Sequence, residues 1–207
     1  MVPKILRDPC FIELLQRFDR DLAEQARSAN CPFCGGVLHS ARYVRKPRGL
    51  PEELESIRFV RESLCCASDG CRQRTLPPSV LFMGRRHFLS VTHLLLSALD
   101  RGPNARRRSQ LKRMLGVGKR TLDRWRRWWA DVFPKTPVCR ATPAVAAIEA
   151  ASSPQPRALF RTFRRRGLAR LLDILIFLAP IGTPRVCSLQ AEQWACAARR
   201  VCLGHAP

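Results

Sequence analysis

Two groups of closely spaced cysteines constrain the fold of this chain more than any other feature. The first is the segment CPFCGG at residues 31–36, in which two residues separate the thiols of Cys31 and Cys34. A turn of this kind directs both thiolates at one tetrahedral metal ion, and the glycine that follows lets the backbone fold tightly around it. The second group is CCASDGC at residues 65–71, in which Cys66 and Cys71 enclose an Asp-Gly turn signal. Together the two groups predict one site of four thiolates.

The spacing predicts a structural Zn²⁺ site that is closed to substrates, because protein ligands fill all four positions. The predicted ligands are Cys31, Cys34, Cys66 and Cys71. Cys65 is an alternative third ligand that would enclose a longer and less usual loop, and His39 could replace one thiolate. Buried free thiols or a redox pair are the alternative to a metal. A ribbon of this size is too small to fold without its ion, so zinc is predicted to be required for folding.

The remaining sequence carries no sign of export. Its N-terminus has neither an apolar core nor a small-residue cleavage site. The longest apolar stretch, residues 168–181, contains Arg170, Asp173 and Pro180 and is shorter than the roughly 20 residues that span a bilayer. These features predict a cytoplasmic, nucleoid-associated protein without a membrane partner. Thiols stay reduced in that compartment, so ten cysteines favour metal ligation over disulfides.

A second pattern, at residues 109–125, fits a helix-turn-helix. The first helix is predicted to end before Gly116, which is free to adopt the left-handed conformation that caps helices. Val117 is expected to fill the core at the turn. Leu122 and Trp125 lie three residues apart on the second helix and are expected to face inward. The opposite face of that helix is then exposed.

In a helix-turn-helix the second helix enters the major groove of DNA and reads bases from its N-terminal half. The residues predicted to face DNA from this helix are Lys119, Arg120, Thr121, Arg124 and Arg127. Base edges are assigned to Lys119, Arg120 and Arg124, since Arg pairs bidentately with guanine. Phosphate contacts are assigned to Arg106, Arg107, Arg108, Lys112 and Arg113. An ordinary helical hairpin with a solvated basic face is the alternative.

Charge is concentrated in the same part of the chain. The sequence has 37 Lys and Arg against 16 Asp and Glu, a net charge of +21. Most of the basic residues are Arg, which a GC-rich genome would enrich without selection for binding. The distribution is more informative, because residues 101–130 contain eleven basic residues and one acidic residue, whereas residues 1–30 are neutral in sum. Double-stranded DNA is therefore the predicted partner.

The hydrophobic pattern predicts a mainly α protein with a small β zinc ribbon, built as modules with a trihelical helix-turn-helix after the ribbon. The predicted segments are an N-terminal helix at 1–29, the four-cysteine ribbon at 30–86, the helix-turn-helix at 87–133, a linker at 134–167, and a C-terminal helix with a tail at 168–207. The ribbon is expected to pair residues 37–44 with 56–66. The N-terminal helix is expected to serve packing or dimerisation.

Several of these motifs together resemble small bacterial transposon-associated proteins that join a zinc ribbon to a helix-turn-helix. The matching segments are residues 31–35, 45–49, 66–74, 77–80 and 116–129. The zinc-ribbon heads of some insertion-sequence transposases are similar too. The resemblance covers residues 30–133, half of the chain. It implies DNA binding linked to a mobile element, and it carries over the same four cysteine ligands.

A transposase would also need three acidic residues that hold two divalent metals for phosphoryl transfer. Beyond Ala130 the sequence has only Asp131, Glu149, Asp173 and Glu192, and it has no P-loop, nucleophile elbow or His-Glu-x-x-His motif. The chain is therefore predicted not to be an enzyme on its own.

The resulting hypothesis is a zinc-dependent DNA-binding protein that acts as an accessory or regulatory factor of a mobile element. A transposase or a second copy of the chain is the candidate protein partner, and no small-molecule substrate is expected. One alternative is a truncated or split transposase fragment, because the stretch after Thr183 resembles out-of-frame sequence. Another is a zinc-ribbon adaptor for RNA or a protein. Three tryptophans, Trp125, Trp128 and Trp129, could serve as a stacking platform for single strands, but their spacing favours core packing.

Overall fold

The chain folds as a mainly helical protein with one small antiparallel sheet, which confirms the predicted class at that level. The computed structural model describes residues 4–83, 88–98, 104–140 and 156–183. The helices are α1 (Pro9–Ser28), α2 (Ser90–Ser97), α3 (Ala105–Leu115), α4 (Lys119–Arg127), α5 (Pro137–Arg140), α6 (Arg157–Thr162) and α7 (Gly167–Leu178). The strands are β1 (Leu38–Arg45), β2 (Phe59–Cys66) and β3 (Arg74–Thr75). None of the helices in these ranges has an apolar stretch long enough to cross a membrane.

Helix α1 begins and ends with the signals that the sequence contains. The carboxylate of Asp8 accepts a hydrogen bond from the backbone N–H of Cys10 at 3.0 Å, and Pro9 occupies the first helical position. The chain leaves the helix through Asn30, whose φ is +63°. The buried face of α1 is formed by Phe11, Ile12, Leu15, Asp19, Leu22 and Ala23. This face packs on β2, so α1 is a packing element of the fold.

The sheet has the order β1-β2-β3, and both strand pairs are antiparallel. The predicted ribbon is present, and its register runs from Leu38 opposite Cys66 to Arg45 opposite Phe59. The two-residue strand β3 is not predicted by the sequence pattern. Strand β2 is mostly buried between its neighbours, whereas residues 39–44 of the edge strand β1 are exposed.

Helices α3 and α4 are separated by three residues. Gly116 has φ of +62° and donates its N–H to the carbonyls of Leu111 and Lys112, so it forms the left-handed cap that the sequence predicted. Val117 is fully buried. Helix α3 begins at Ala105, four residues before the predicted start, because the side chain of Asn104 caps it by accepting from a backbone N–H in the first turn.

The tryptophans that follow α3 belong to the core. Helix α4 continues as a π-helical turn over Trp128–Val132. Trp125 and Trp129 are 1% and 2% exposed, and Trp128 packs partly buried beside them. The ring of His93 on α2 lies 4.7 Å from that of Trp125 between centroids. These indoles therefore pack α2 against α4 and are not an exposed platform for single strands.

One hydrophobic core connects the described parts of the chain. Its members include Ile12 of α1, Phe59 of β2, Trp125 of α4 and Leu175 of α7. Segments that the sequence analysis treated as separate modules therefore share one core. A smaller apolar group lies at the cysteine end of the sheet and consists of Cys31, Leu38, Leu64 and Cys66.

The segment predicted as a linker, residues 134–167, is partly folded. It contains α5 and α6, and the side chains of Leu159 and Phe163 are buried in the main core. Residues 135–157 are rich in Ala, Pro, Ser and Thr, which is why composition alone suggested a linker. Residues 141–155 of the predicted linker and the predicted tail after Thr183 lie outside the described residues.

A buried carboxylate fastens α1 to the segment that follows the sheet. Asp19, 3% exposed, accepts hydrogen bonds from the hydroxyl of Ser79 at 2.5 Å and from the backbone N–H groups of Val80 at 2.7 Å and Leu81 at 3.4 Å. Burial raises the pKa of Asp19 to about 6, although these hydrogen bonds and the charge of Arg61 oppose the shift. Asp19 occupies a position on the apolar face of α1 and was not among the residues predicted to be functional.

Asp19→Asn is expected to change how stability depends on pH. A carboxyl with a raised folded pKa stabilises the fold below the unfolded pKa, near 3.8, and this stabilisation is lost as pH rises through about 6. Asparagine does not titrate but keeps an oxygen for the N–H of Val80. Between pH 5 and pH 7 the wild type should therefore lose about 1 kcal/mol of unfolding free energy relative to the variant. Urea denaturation at several pH values measures this difference.

The matched control is Asp21→Asn, which changes an exposed carboxylate on the same helix. Both variants keep the cysteine site. Loss of a bound metal at low pH therefore affects the wild type and the variants equally and does not contribute to the difference between them. The Asp21 variant should follow the wild-type pH curve. Parallel curves for the wild type and the Asp19 variant would show that Asp19 has no raised pKa in the folded protein.

Candidate metal centre

Four cysteine thiols come together at the end of the β1–β2 ribbon. The sulfur atoms of Cys31, Cys34, Cys66 and Cys71 all lie within 4.8 Å of one another. The distance is 3.8 Å between Cys31 and Cys71 and 3.4 Å between Cys34 and Cys66. A tetrahedral ion with metal–sulfur bonds near 2.3 Å requires sulfur atoms about 3.8 Å apart. The four side chains that the sequence singled out can therefore hold one metal ion.

The first pair of thiols is positioned by a tight turn after α1. The carbonyl of Cys31 accepts from the N–H of Gly35 at 2.8 Å, and the N–H of Cys31 donates to the carbonyl of Gly36 at 2.8 Å. Gly35 has φ of +73°, a conformation that favours glycine. A Cβ at Gly36 would overlap the hydroxyl of Ser68 and lie 3.3 Å from the sulfur of Cys34. Both glycines are thus needed for the two thiols to converge.

The second pair of thiols is held by the end of β2 and the turn after it. The carbonyl of Ser68 accepts from the N–H groups of Cys71 and Arg72, each at 3.0 Å. The N–H of Cys66 donates to the carbonyl of Gln73 at 3.0 Å, which returns the chain to the sheet. This turn brings Cys71 back over Cys66, across four intervening residues.

The pairing register decides between the adjacent cysteines Cys65 and Cys66. Side chains alternate between the two faces of a strand, so only one of two neighbours can face the ion. Cys66 lies opposite Leu38 and is buried beside Cys31, whereas Cys65 lies opposite His39. The sulfur of Cys65 instead points at the carbonyls of Cys66 and Arg72, at 3.8 and 4.0 Å. His39 is exposed and is not part of the group of four thiols.

The thiols of Cys34 and Cys71 have pKa values that are shifted in opposite directions. Hydrogen bonds from the backbone of Gly36 and from the thiols of Cys66 and Cys71 lower the pKa of Cys34 to about 6. For Cys71 the backbone of Gln73 acts to lower the pKa, but burial and the neighbouring thiols outweigh it and raise the pKa to about 12. A bound cation stabilises such a group of thiols, because the metal ion replaces the protons that the neighbouring sulfur atoms otherwise share.

The residues predicted to contact DNA lie on the surfaces of α3 and α4. All are exposed except Thr121, which is half-buried; they are Arg106, Arg107, Arg108, Lys112, Arg113, Lys119, Arg120, Thr121, Arg124 and Arg127. Leu122 and Trp125 face the core, as predicted. Lys119 forms an ion pair with Asp123 at 3.3 Å. An exposed pair of this kind is weak and leaves the charge accessible.

Arg113 has a different setting from the other predicted phosphate contacts. It lines a cavity of about 540 Å³ together with Glu52, Glu53 and Glu55. Arg7, on the other side of the same cavity, forms an ion pair with Glu53 at 3.4 Å. Arg113 therefore lies beside carboxylates of the protein itself.

Comparisons with family models, with curated proteins and with solved structures give no match. The resemblance to transposon-associated zinc-ribbon proteins thus rests on the sequence motifs. The role of this chain has to be inferred from its cysteine site and its basic helices.

Proposed function

We propose that this chain is a zinc-dependent protein that binds double-stranded DNA through α3 and α4. The observation that carries the proposal is the division of α4 into two faces. Leu122 and Trp125 are buried in the core, while Arg120, Arg124 and Arg127 are exposed along the opposite side. A helix that is anchored on one face and basic on the other fits the negatively charged major groove.

Zinc is the ion that best suits the cysteine site. Four thiolates in a tetrahedral arrangement are typical of structural zinc or of iron–sulfur centres, and a turn of two residues between cysteines followed by glycine is typical of zinc ribbons. With all four positions filled by protein, the ion has no open position for a substrate. Its role is then to fix the end of the ribbon.

The turn between α3 and α4 supports the DNA-binding part of the proposal. The left-handed Gly116 reverses the chain and the buried Val117 fixes the second helix on the core. In this arrangement Lys119, Arg120 and Arg124 read base edges from the start of α4. The basic residues of α3 contact phosphates and contribute affinity more than sequence preference.

The biological setting is proposed on the resemblance alone. It makes the chain an accessory or regulatory factor of a mobile element and not an enzyme on its own. If it is instead half of a split transposase, a neighbouring reading frame should contain the three spaced acidic residues that this chain lacks.

Selection from random duplex DNA tests the proposal. The zinc-loaded protein is incubated with random duplexes in parallel with structured RNA and single-stranded DNA as competitors. The expected result is an enriched duplex sequence that neither competitor displaces at equal nucleotide concentration. Displacement by RNA would favour the RNA adaptor, and the absence of any enriched duplex would contradict sequence-specific binding.

A further inference from the structure

A second basic surface lies beside the turn between α3 and α4, in the connection between strands β1 and β2. A groove of about 790 Å³ is enclosed by residues 44–50 and 55–59 on one side and by Leu115 and Gly116 on the other. Its lining contains four cationic side chains and one carboxylate, namely Arg45, Lys46, Arg48, Arg58 and Glu55. We call this the ribbon groove. Its charge suits an extended anion.

Three of the four cations of the ribbon groove are available to a ligand. Lys46, Arg48 and Arg58 are exposed, and none of the three forms an ion pair with another residue in the described ranges. Arg45 is half-buried, and its guanidinium lies 5.7 Å from the ring centroids of both Tyr43 and Phe82. Three unpaired charges on one wall of a groove favour binding of a polyanion over binding of a neutral molecule.

The connection between β1 and β2 packs against the helices and is held there by several contacts. Gly49 is buried with φ of +81°, and a Cβ at this position would lie 2.8 Å from the ring of Phe88. The hydroxyl of Thr92 on α2 donates to the carbonyl of Gly49 at 3.5 Å. The ring of Phe88 in turn packs edge-on against Trp125 of α4, with centroids 5.0 Å apart. These contacts hold the ribbon groove at a fixed place relative to α4.

We infer that the ribbon groove binds the phosphate backbone of the same duplex, beside the base pairs that α4 reads. This inference rests on the proposed function. The groove borders Gly116, the left-handed cap of α3, which lies three residues before α4 begins at Lys119. A duplex whose major groove takes the N-terminal end of α4 therefore has its backbone next to the connection. Lys46, Arg48 and Arg58 then contact phosphates. Because phosphate contacts carry no base information, the groove adds affinity and fixes register without changing sequence preference.

The test compares two double variants of the full-length, zinc-loaded protein. Arg48→Ala with Arg58→Ala removes two charges from the ribbon groove. Arg17→Ala with Arg20→Ala removes two exposed charges of the same kind from α1 and is the matched control. The probe is the selected duplex, titrated at several salt concentrations. The groove variant should bind about 10-fold more weakly near 0.15 M salt, with a salt slope reduced by about 2, because each lost phosphate contact removes about 0.9.

The control variant should stay within about twofold of the wild type, because Arg17 and Arg20 do not line the ribbon groove and act only at long range. Both variants should keep the selected sequence, the zinc content and the thermal unfolding midpoint. Removing about five base pairs of flanking duplex on one side should weaken the wild type and leave the groove variant unchanged.

The outcomes separate the two proposals. If the wild type binds the selected duplex while the groove variant matches the control in affinity and salt slope, the ribbon groove does not contact phosphates, although α4 still binds DNA. If the wild type binds no duplex, both the groove assignment and the proposed function are wrong.

Discussion

Cys66→Ser is expected to abolish zinc binding and to unfold the ribbon, whereas Cys65→Ser, one residue away, is expected to leave both unchanged. The sulfur of Cys66 is 3.4 Å from that of Cys34, and Cys66 is buried beside Cys31, Leu38 and Leu64. The sulfur of Cys65 is directed at backbone carbonyls and takes no part in the group of four. The two substitutions are chemically identical, so any difference between them comes from the metal site.

The size of the expected loss of stability in Cys66→Ser follows from the free energy that the ion contributes to folding. Structural Zn²⁺ sites bind with apparent free energies of about 10–16 kcal/mol, which is as large as the stability of a typical domain, about 5–15 kcal/mol. Around the site the apolar group is small, with Leu38 and Leu64 the only aliphatic side chains among its buried members in the described residues. Such a group cannot hold four crowded thiols together once a ligand is lost.

Metal analysis and thermal unfolding measure both effects. Wild type and Cys65→Ser should contain one zinc per chain and unfold at the same temperature, and a chelator should lower that temperature in both. Cys66→Ser should contain almost no zinc. A folded wild type that contains no zinc would disprove the metal site, and equal zinc contents in the two variants would disprove the assignment of Cys66.

The sequence predicted the cluster of four cysteines because the geometry of the cluster is local. A Cys-x-x-Cys turn followed by glycine places two thiols without help from the rest of the fold, and the strand pattern brings in the second pair. Only the pairing register separates Cys65 from Cys66, since both belong to the same strand, and the register is a property of two strands together. For this reason the sequence left both open.

Other parts of the fold depend on long-range contacts and could not be predicted. The start of α3 was placed too late, because its first turns contain charged residues without apolar periodicity and only the side chain of Asn104 marks the end. Residues near Leu159 resembled a linker, since what orders them is burial against the common core. Asp19 had a detectable signal. It lies four residues after Leu15 and three before Leu22, on a face that is otherwise apolar.

Replacing both Arg120 and Arg124 by alanine is expected to remove most of the sequence discrimination of the protein. The two side chains lie four residues apart on the exposed face of α4, and neither forms an ion pair with a described residue. A bidentate Arg–guanine contact contributes about 1–3 kcal/mol of discrimination, or roughly 5-fold to 150-fold per contact. The ratio of affinities for the selected duplex and a scrambled duplex should therefore fall by at least about 30-fold.

Arg107→Ala provides the contrasting variant. Arg107 is exposed in the first turns of α3, where a side chain reaches phosphates and not base edges. This substitution should leave the ratio of affinities unchanged and reduce the salt slope by about 0.9. Titration of the selected and scrambled duplexes at several salt concentrations separates the two effects, and circular dichroism checks that the core around Trp125 stays folded. If the double variant discriminates between the duplexes as well as the wild type does, α4 is not the recognition helix and its basic face is merely solvated.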